Sequence, residues 1–303
     1  MNPILFALPG AEVVARSLRQ QLGGEAGALE LHRFPDGECC PRLRSDVAGR
    51  DVVLVGALDR PDRKVMALYL VASVARELGA RSVGIVAPYL PYMRQDAHFE
   101  PGDGITSAHF ARLISGCCDW LATVDPHLHR HRSLGAIYSV PTRVAHAAPA
   151  IAAWIGAQVQ RPILIGPDGE SEQWVAGVAA TVGCGYAILE KRRSGDRSVA
   201  VSIPDTSGWD GMTPVLVDDI VSTGRTMIAA AVQVGSKHLA SPVCVAVHPL
   251  FAGGAYAALY QAGVERIVSC NTVEHSSNRI DIAPALAQAV RELLGGVGAP
   301  PDA

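Results

Sequence analysis

The chain has 303 residues, of which 49% are apolar and 18% are charged, and its 26 basic and 29 acidic residues give a net charge of −3. This length and apolar content are enough for two domains of ordinary size. The slight negative charge gives no reason to expect nucleic acid or a membrane surface as a partner. No apolar run reaches the length of a membrane span, and residues 1–8 lack the basic region of a signal peptide, so we expect a cytoplasmic protein.

Short aliphatic runs alternate with helical patterns along the whole chain. The predicted strands cover residues 4–8, 52–55, 83–87, 120–124, 137–140, 162–165, 186–189, 215–217, 243–247 and 266–269, with extended pieces at 29–34 and 199–203. The predicted helices cover residues 11–22, 64–78, 105–114, 144–155, 171–182, 227–234, 254–261 and 282–294. This alternation is typical of an α/β protein with a parallel sheet and helices on both faces.

The two halves of the chain follow one plan. Residues 120–125 and 266–271 are comparable strands that end in a polar residue, and residues 92–96 are taken as the counterpart of an acidic loop at 218–226 in the second half. A duplicated domain is the economical interpretation. We predict two tandem domains, residues 1–145 and 146–303, each a mostly parallel sheet flanked by helices.

Residues 215–227 read V-L-V-D-D-I-V-S-T-G-R-T-M, a short strand, two acids, a small hydroxyl-rich loop and a helix. Free N–H groups and the helix dipole favour a phosphate dianion at such a loop, and Gly224 lets the backbone come close to it. Asp218 and Asp219 cannot hold that phosphate but suit vicinal sugar hydroxyls or Mg²⁺. The pattern favours a pentose 5-phosphate site over an ordinary turn with an acidic N-cap, which needs no acid pair.

Further polar stretches occur in order along the chain: F-P-D-G-E at 34–38, Y-M-R-Q-D at 92–96, D-P-H at 125–127, G-P-D at 166–168 and E-K-R-R at 190–193. Each alone has an ordinary alternative, such as a turn or a solvated basic cluster. His127, His129 and His131 alternate along one stretch, but a polar loop is favoured over a zinc centre because no Cys or Glu completes a ligand set.

Together these stretches resemble the signatures of the ribose-phosphate diphosphokinase (PRPP synthetase) family over about residues 30–290, and the acid-pair loop resembles the PRPP-binding motif of the type I phosphoribosyltransferase fold. The resemblance implies Mg²⁺-dependent transfer of the diphosphoryl group of ATP to O1 of ribose 5-phosphate, giving PRPP and AMP. It also implies a homo-oligomer, because part of the adenine site in this family comes from a neighbouring subunit.

The resemblance further implies a role for each matching residue. It makes Lys191 and Arg193 catalytic, and His127 and Asp168 ligands of Mg²⁺. The implied nucleotide contacts are Asp36, Gly37, Glu38, Arg94, Gln95 and Asp96. The implied ribose 5-phosphate contacts are Asp218, Asp219, Ser222, Thr223, Gly224, Arg225 and Thr226.

Some residues depart from the family pattern. Ala97 stands where basic residues are usual, Trp174 replaces a usual Arg, and Glu170 brings a carboxylate close to the expected phosphate position. These departures leave open a non-catalytic paralogue that binds phosphoribosyl ligands or partner synthetase subunits. A PRPP-consuming phosphoribosyltransferase also stays open, although it would leave the first half of the chain without a role.

Overall fold

A computed structural model describes residues 2–194, 198–202, 208–237 and 239–296, apart from the side chains of Glu170 and of residues 190–202. The chain divides into two compact units. The first contains Met1–His146, Thr272–Glu274 and the chain from Ile282 onward. The second contains Ala147–Asn271 and His275–Asp281.

The first unit is built on a parallel sheet. Its elements are β1 (Ile4–Ala7), α1 (Glu12–Leu22), β2 (Glu25–Ala26), β3 (Leu29–Arg33), β4 (Cys39–Leu43), β5 (Asp51–Val55), α2 (Pro61–Glu77), β6 (Ser82–Ala87), α3 (Thr106–Ser115), β7 (Trp120–Val124) and β8 (Thr142–Ala145). Six strands form the sheet in the order β2-β1-β5-β6-β7-β8, and every neighbouring pair is parallel. β3 and β4 form a separate antiparallel hairpin.

The central strands are apolar on both faces because helices cover the sheet on both sides, as expected for parallel sheets. All of β6 and β7 is buried. Gly84 of β6 pairs with Trp120 of β7, and a Cβ atom at Gly84 would lie 2.0 Å from the indole ring. The glycine therefore makes room for the largest fully buried side chain of this core.

The second unit repeats this topology. Its elements are α4 (Ala148–Gln158), β9 (Pro162–Gly166), α5 (Glu172–Val182), β10 (Gly185–Ile188), β11 (Glu190–Ser194), β12 (Ser198–Ser202), β13 (Thr213–Val221), α6 (Arg225–Ser236), β14 (Val243–Pro249), α7 (Ala255–Gln261), β15 (Arg266–Cys270) and β16 (Asn278–Ile280). The sheet order is β10-β9-β13-β14-β15-β16, again parallel throughout, with an antiparallel hairpin of β11 and β12. The predicted α/β class and the two parallel sheets flanked by helices are confirmed.

The helix that follows the last strand of each sheet belongs to the other unit. α4 follows β8 but packs on α5, whereas α8 (Ala283–Gly295) follows β16 but packs on α1, β7 and β8. Leu286, Val290 and Leu293 form the buried face of α8. The predicted division assigns residues 282–303 to the second domain, and the structure differs from it because this apolar face is covered by first-unit elements.

Several predicted boundaries are wrong for identifiable reasons. No strand forms at 137–140, a described segment where Tyr138 is buried in the core after a short 3₁₀ turn, Leu134–Ala136; the strand β8 lies further on. The helix predicted from 144 begins only at Ala148, because residues 142–145 pair with β7. The predicted counterpart of the acid-pair loop is also wrong, since residues 92–96 follow β6 and not β5, the equivalent of β13.

Candidate functional site

The acid pair lies within β13 and not after it. The strand continues to Val221 because its neighbour β14 extends to Pro249, and Asp218 pairs with Ala246 in the parallel register. The prediction that the strand leaves the sheet after Val217 is therefore wrong. The backbone N–H of Asp219 donates to Asp218 Oδ1 at 3.0 Å, and the N–H of Ile220 donates to Asp219 Oδ1 at 2.7 Å. These contacts orient both carboxylates at the carboxyl edge of the sheet.

Asp168 brings a third carboxylate to the same edge. It follows β9, which lies beside β13, so the carboxyl ends of both strands lie together. Asp168 caps the 3₁₀ turn Gly169–Ser171: its Oδ1 accepts from the N–H of Ser171 at 3.3 Å, and Ser171 Oγ donates to its carbonyl at 2.7 Å.

The three acids, Asp168, Asp218 and Asp219, are called here the acid cluster, and the other two affect the ionisation of Asp218. Burial raises the pKa of Asp218 well above its usual value, and the charges of Asp219 and Asp168 raise it further. A divalent cation would relieve this repulsion, and carboxylate oxygens are the ligands that Mg²⁺ prefers. The donor set of the second unit therefore fits a magnesium ion.

The loop after β13 leads into the N-terminus of α6. Gly224 adopts the left-handed conformation with φ 66° at the N-cap, where a Cβ atom would lie 3.3 Å from the Cβ of Ala255. No described side chain caps this helix, so the N–H groups of its first turn are available to an anion. Thr223 and Arg225 are exposed, whereas Ser222 and Thr226 are half-buried. The loop has the features of a phosphate-binding site.

Residues 34–38, for which nucleotide binding is predicted, form the turn of the β3–β4 hairpin. Phe34 N–H donates to the Glu38 carbonyl at 2.9 Å, and Asp36 Oδ1 accepts from the Glu38 N–H at 3.1 Å. Gly37 supplies the positive φ of 96° that the turn requires. A groove of about 480 Å³ separates this turn from α2, and it is lined by Arg33, Gly37, Glu38, Cys39, Asp62, Arg63, Met66 and Leu70.

The second stretch predicted to bind nucleotide, residues 92–96, follows β6. Tyr92 has a left-handed φ of 64°, and its hydroxyl donates to Asp62, which lines the groove beside the hairpin turn. Burial raises the pKa of Tyr92 to about 12. Arg94 and Gln95 are exposed, whereas the Asp96 side chain is fully buried and accepts from Arg130 Nη1 at 2.9 Å. Asp96 thus anchors the loop from inside, and its nucleotide contact stays a prediction.

The histidine-rich stretch separates into distinct pairs. The rings of His127 and His129 lie 4.0 Å apart in an edge-to-face arrangement, whereas Nε2 of His131 lies 3.1 Å from Ser107 Oγ at the start of α3. His146 Nδ1 lies 2.8 Å from Asp125 Oδ1, and this hydrogen bond raises the pKa of His146.

Sequence analysis missed the roles of Ser107 and Arg130. Ser107 is 24 residues from its partner His131, and Arg130 is 34 residues from its partner Asp96, so no local sequence pattern indicates either contact.

The predicted catalytic residues lie on β11. Lys191 pairs with Val201 and Arg193 with Val199 of β12, so the two occupy alternate positions of an antiparallel hairpin. Their side chains lie outside the described part of the structure, as does that of Glu170. Of the other two departures, Trp174 is half-buried on α5 and Ala97 is half-buried beside Asp96.

Comparison with known proteins covers both units. Residues 4–117 match the N-terminal domain of ribose phosphate pyrophosphokinase, and residues 133–294 match the phosphoribosyl transferase domain. A ribose-phosphate pyrophosphokinase of Methanopyrus kandleri is 31% identical over 96% of this chain and 100% of its own length. The chain belongs to the ribose-phosphate pyrophosphokinase family.

Other members of the ribose-phosphate pyrophosphokinase family give the same result. The enzyme of that name from Halobacterium salinarum is 32% identical over 95% of this chain and 100% of its own length. The crystal structure of phosphoribosylpyrophosphate synthetase from Mycobacterium smegmatis superposes with a TM-score of 0.84, covering 98% of this chain and 100% of that one at 21% identity, which supports the fold.

None of the helices in the described residues has the length and apolar character needed to cross a membrane.

Proposed function

We propose that this chain transfers the diphosphoryl group of ATP to ribose 5-phosphate. O1 of the sugar attacks the β-phosphorus of ATP, the bond between that phosphorus and the α,β-bridging oxygen breaks, and AMP leaves while PRPP forms. The similarity to ribose-phosphate pyrophosphokinases along nearly the whole chain carries this proposal. A transferase that consumes PRPP is not favoured, because it would leave the match of residues 4–117 without a role.

Ribose 5-phosphate binds at the carboxyl edge of the second sheet. Its phosphate lies at the N-terminus of α6, where Gly224 allows close approach and the hydroxyls of Ser222, Thr223 and Thr226 add donors, with Arg225 as a cation. Asp218 and Asp219 accept hydrogen bonds from the vicinal hydroxyls of the ribose. The fixed orientation of both carboxylates by backbone N–H groups supports this assignment.

Mg²⁺ is the metal that we propose for the reaction, with His127 and Asp168 among its ligands. The like charges around Asp168 support a cation there. When bound, the metal neutralises phosphate charge on ATP and helps to align the attacked phosphorus. Lys191 and Arg193 bind the non-bridging oxygens of the β-phosphate, where negative charge must be stabilised as the bond to AMP breaks.

ATP binds at the two motifs of the first unit. Arg94 and Gln95 are exposed and available to the phosphates. In a homo-oligomer, Asp36, Gly37 and Glu38 bind the adenine edge of the nucleotide held by a neighbouring subunit. The exposure of the hairpin turn is consistent with a partner's nucleotide binding there. We place the reaction in the cytoplasm.

AMP formation by purified protein tests the proposal. Incubation with ATP and Mg²⁺ should release AMP only when ribose 5-phosphate is present, and PRPP should accumulate in equal amount. Release of ADP would instead indicate transfer of the γ-phosphoryl group, and no release would favour a non-catalytic paralogue.

Lys191→Ala tests the assigned catalytic role. Arg192→Ala is the matched control, because Arg192 occupies the intervening position of the same strand. Lys191→Ala should lower kcat about 100-fold or more with a small change in KM, as expected for loss of a transition-state contact. Equal activity of the two variants would contradict the assignment.

A further inference from the structure

Two loops of the first unit meet beside the start of α3. One is the loop 92–99, which follows β6, and the other is the loop 125–132, which follows β7. Residues 94–99 lie in neither a helix nor a strand, so regular backbone pairing does not fix them. The exposed Arg94 and Gln95 lie in this loop. Their position therefore depends on the contacts that other parts of the chain make with the residues beside them.

The side chain of Asp96 joins the first loop to the second. It is fully buried, and its Oδ1 accepts from Arg130 Nη1 at 2.9 Å. Its Oδ2 is also buried and has no hydrogen-bond partner among the described residues, so Arg130 is the cation on which this carboxylate depends. Burying a charged pair costs free energy, and an apolar pair of similar volume is often as stable. The pair is therefore better explained by the positions that it gives to the two loops than by stability.

A second contact fixes the residue before Asp96. The backbone N–H of Ser107, at the start of α3, donates to the Gln95 carbonyl at 3.2 Å. The hydroxyl of the same serine, which is buried, lies 3.1 Å from Nε2 of His131, the residue after Arg130. Two adjacent residues of one loop are thus joined to two adjacent residues of the other, once directly and once through the serine.

We propose that Arg130 is a positioning residue for nucleotide binding and does not bind the nucleotide itself. Through Asp96 it holds the exposed Arg94 and Gln95 where they bind the phosphates of ATP. Its guanidinium carbon also lies 5.5 Å from the centre of the Phe99 ring, so the side chain is held at two points. The identity of the nucleotide rests on the proposed function, but the joining of the two loops does not.

A direct contact between Arg130 and the phosphates is the alternative, because 51% of its side chain is exposed. The two roles predict different results. An arginine that binds phosphate acts by its own charge, so replacing Asp96 would have little effect. An arginine that positions the loop acts through Asp96, so removing either partner should have the same effect, and removing both should add little.

The first experiment measures ATP affinity by calorimetry on the full chain with Mg²⁺ and without ribose 5-phosphate. Arg130→Met should weaken ATP binding about tenfold, because groups displaced by roughly 1 Å lose that much or more. Asp96→Asn should weaken it by a similar factor. The double variant should bind ATP less than about twofold more weakly than either single variant, and ribose 5-phosphate affinity should change less than about twofold in all three.

Arg132→Met is the matched control. It removes the same charge from an exposed position of the same loop, and it should bind ATP like the parent protein. Arg130→Lys keeps a cation for Asp96, which accepts a single N–H from Arg130, so this variant should recover most of the affinity.

Hydrogen exchange of the ligand-free chain tests the joining of the loops directly. The Ser107 amide, which donates to Gln95, should exchange faster in Arg130→Met, whereas the amides of β1 should exchange as in the parent. The double variant Asp96→Asn/Arg130→Met has no buried charge at this point, so it keeps the test decisive if Arg130→Met does not fold.

Three results would overturn the proposal. The first is an Arg130→Met or Asp96→Asn variant whose ATP affinity equals that of the parent. The second is a double variant in which the two losses multiply, because each residue would then act on the nucleotide independently. The third is an Arg132→Met variant that loses as much ATP affinity as Arg130→Met, because the effect would then be one of general charge.

The reaction assay separates this inference from the proposed function. Coupled losses of ATP affinity, together with a parent protein that releases no AMP, would contradict the proposed reaction alone. Release of AMP by the parent protein, together with an unchanged KM for ATP in Arg130→Met, would contradict the positioning role alone.

Discussion

Asp218 is held in a position where its ionised form is unfavourable. Burial and the charges of Asp219 and Asp168 raise its pKa, so the folded chain retains a proton to higher pH than the unfolded chain does. Stability of the ligand-free protein therefore falls as pH rises from the ordinary value of 3.8 through the folded pKa. Binding residues that reduce stability are common at functional sites.

Asp218→Asn should separate stability from binding. We expect the variant to have a higher free energy of unfolding than the parent at neutral pH without ligands, and to lose most of its ribose 5-phosphate affinity. Urea titration across the pH range and a direct binding assay measure the two effects. A variant that is less stable than the parent at neutral pH would show that the carboxylate is not under strain.

Gly224→Ala tests the phosphate loop. The new side chain must adopt φ 66°, which costs about 1–2 kcal/mol in stability, and its Cβ would lie 3.3 Å from that of Ala255. KM for ribose 5-phosphate should rise on the order of tenfold, with KM for ATP changing less.

Gly253→Ala is the matched control for this prediction. Gly253 has nearly the same φ, 62°, but nothing lies within 4 Å of its added Cβ. It should lose comparable stability and keep its affinity for ribose 5-phosphate. If both variants lose that affinity equally, backbone strain alone explains the effect and the loop has no special role.

At the scale of elements, the packing between β6 and β7 requires that residue 84 has no side chain. A Cβ at Gly84 would meet three atoms of the Trp120 indole at 2.0–2.3 Å, and both residues lie on buried strands that cannot move apart without breaking their pairing. Gly84→Ala should therefore lower the free energy of unfolding by about 3 kcal/mol or more.

Gly156→Ala is the contrasting substitution for Gly84→Ala. Gly156 is exposed on α4 with nothing within 4 Å of an added Cβ, so alanine should stabilise the helix by about 0.5–1 kcal/mol. Thermal and urea unfolding measure both changes. A Gly84→Ala variant as stable as the parent would mean that the indole can move aside.

Sequence patterns predict where helices and strands lie, but they do not predict which residues of different elements contact each other. Aliphatic runs correctly indicate most strands, because parallel strands buried on both faces are almost wholly apolar. The end of β13 was missed because Asp218 and Asp219 are polar, although pairing with β14 extends the strand through them. The Asp96–Arg130 pair was missed because its partners are far apart in sequence.

At the scale of the whole molecule, the two units repeat one sheet topology and differ at one loop. Gly224 at the start of α6 corresponds to Arg60 at the start of α2, and both adopt a left-handed backbone, with φ 66° and 50°. The loop of the first unit has no run of hydroxyls, and Lys64 donates to Asp59 there at 2.5 Å. Equivalent turns thus carry the proposed phosphate site in the second unit and an internal ion pair in the first.

The assignment of α8 to the first unit makes a prediction for the whole chain. Leu286 is fully buried on α8, and Leu286→Ala should lower stability by about 2–5 kcal/mol. Hydrogen exchange should quicken in β7 and β8, on which the helix packs, more than in β14 and β15. Gln288→Ala, at an exposed position of α8, should leave exchange unchanged, and faster exchange confined to β14 and β15 would contradict the assignment.

The exchange of α4 and α8 has a consequence for biosynthesis. A ribosome releases the strands of the first unit early, but the helix that covers β7 and β8 is translated only after the second sheet is complete. The nascent first unit must therefore wait with an apolar surface uncovered, a state that invites aggregation or chaperone binding. Maturation of the amino-terminal half is thus timed by the translation of α8, which follows every strand of the second sheet.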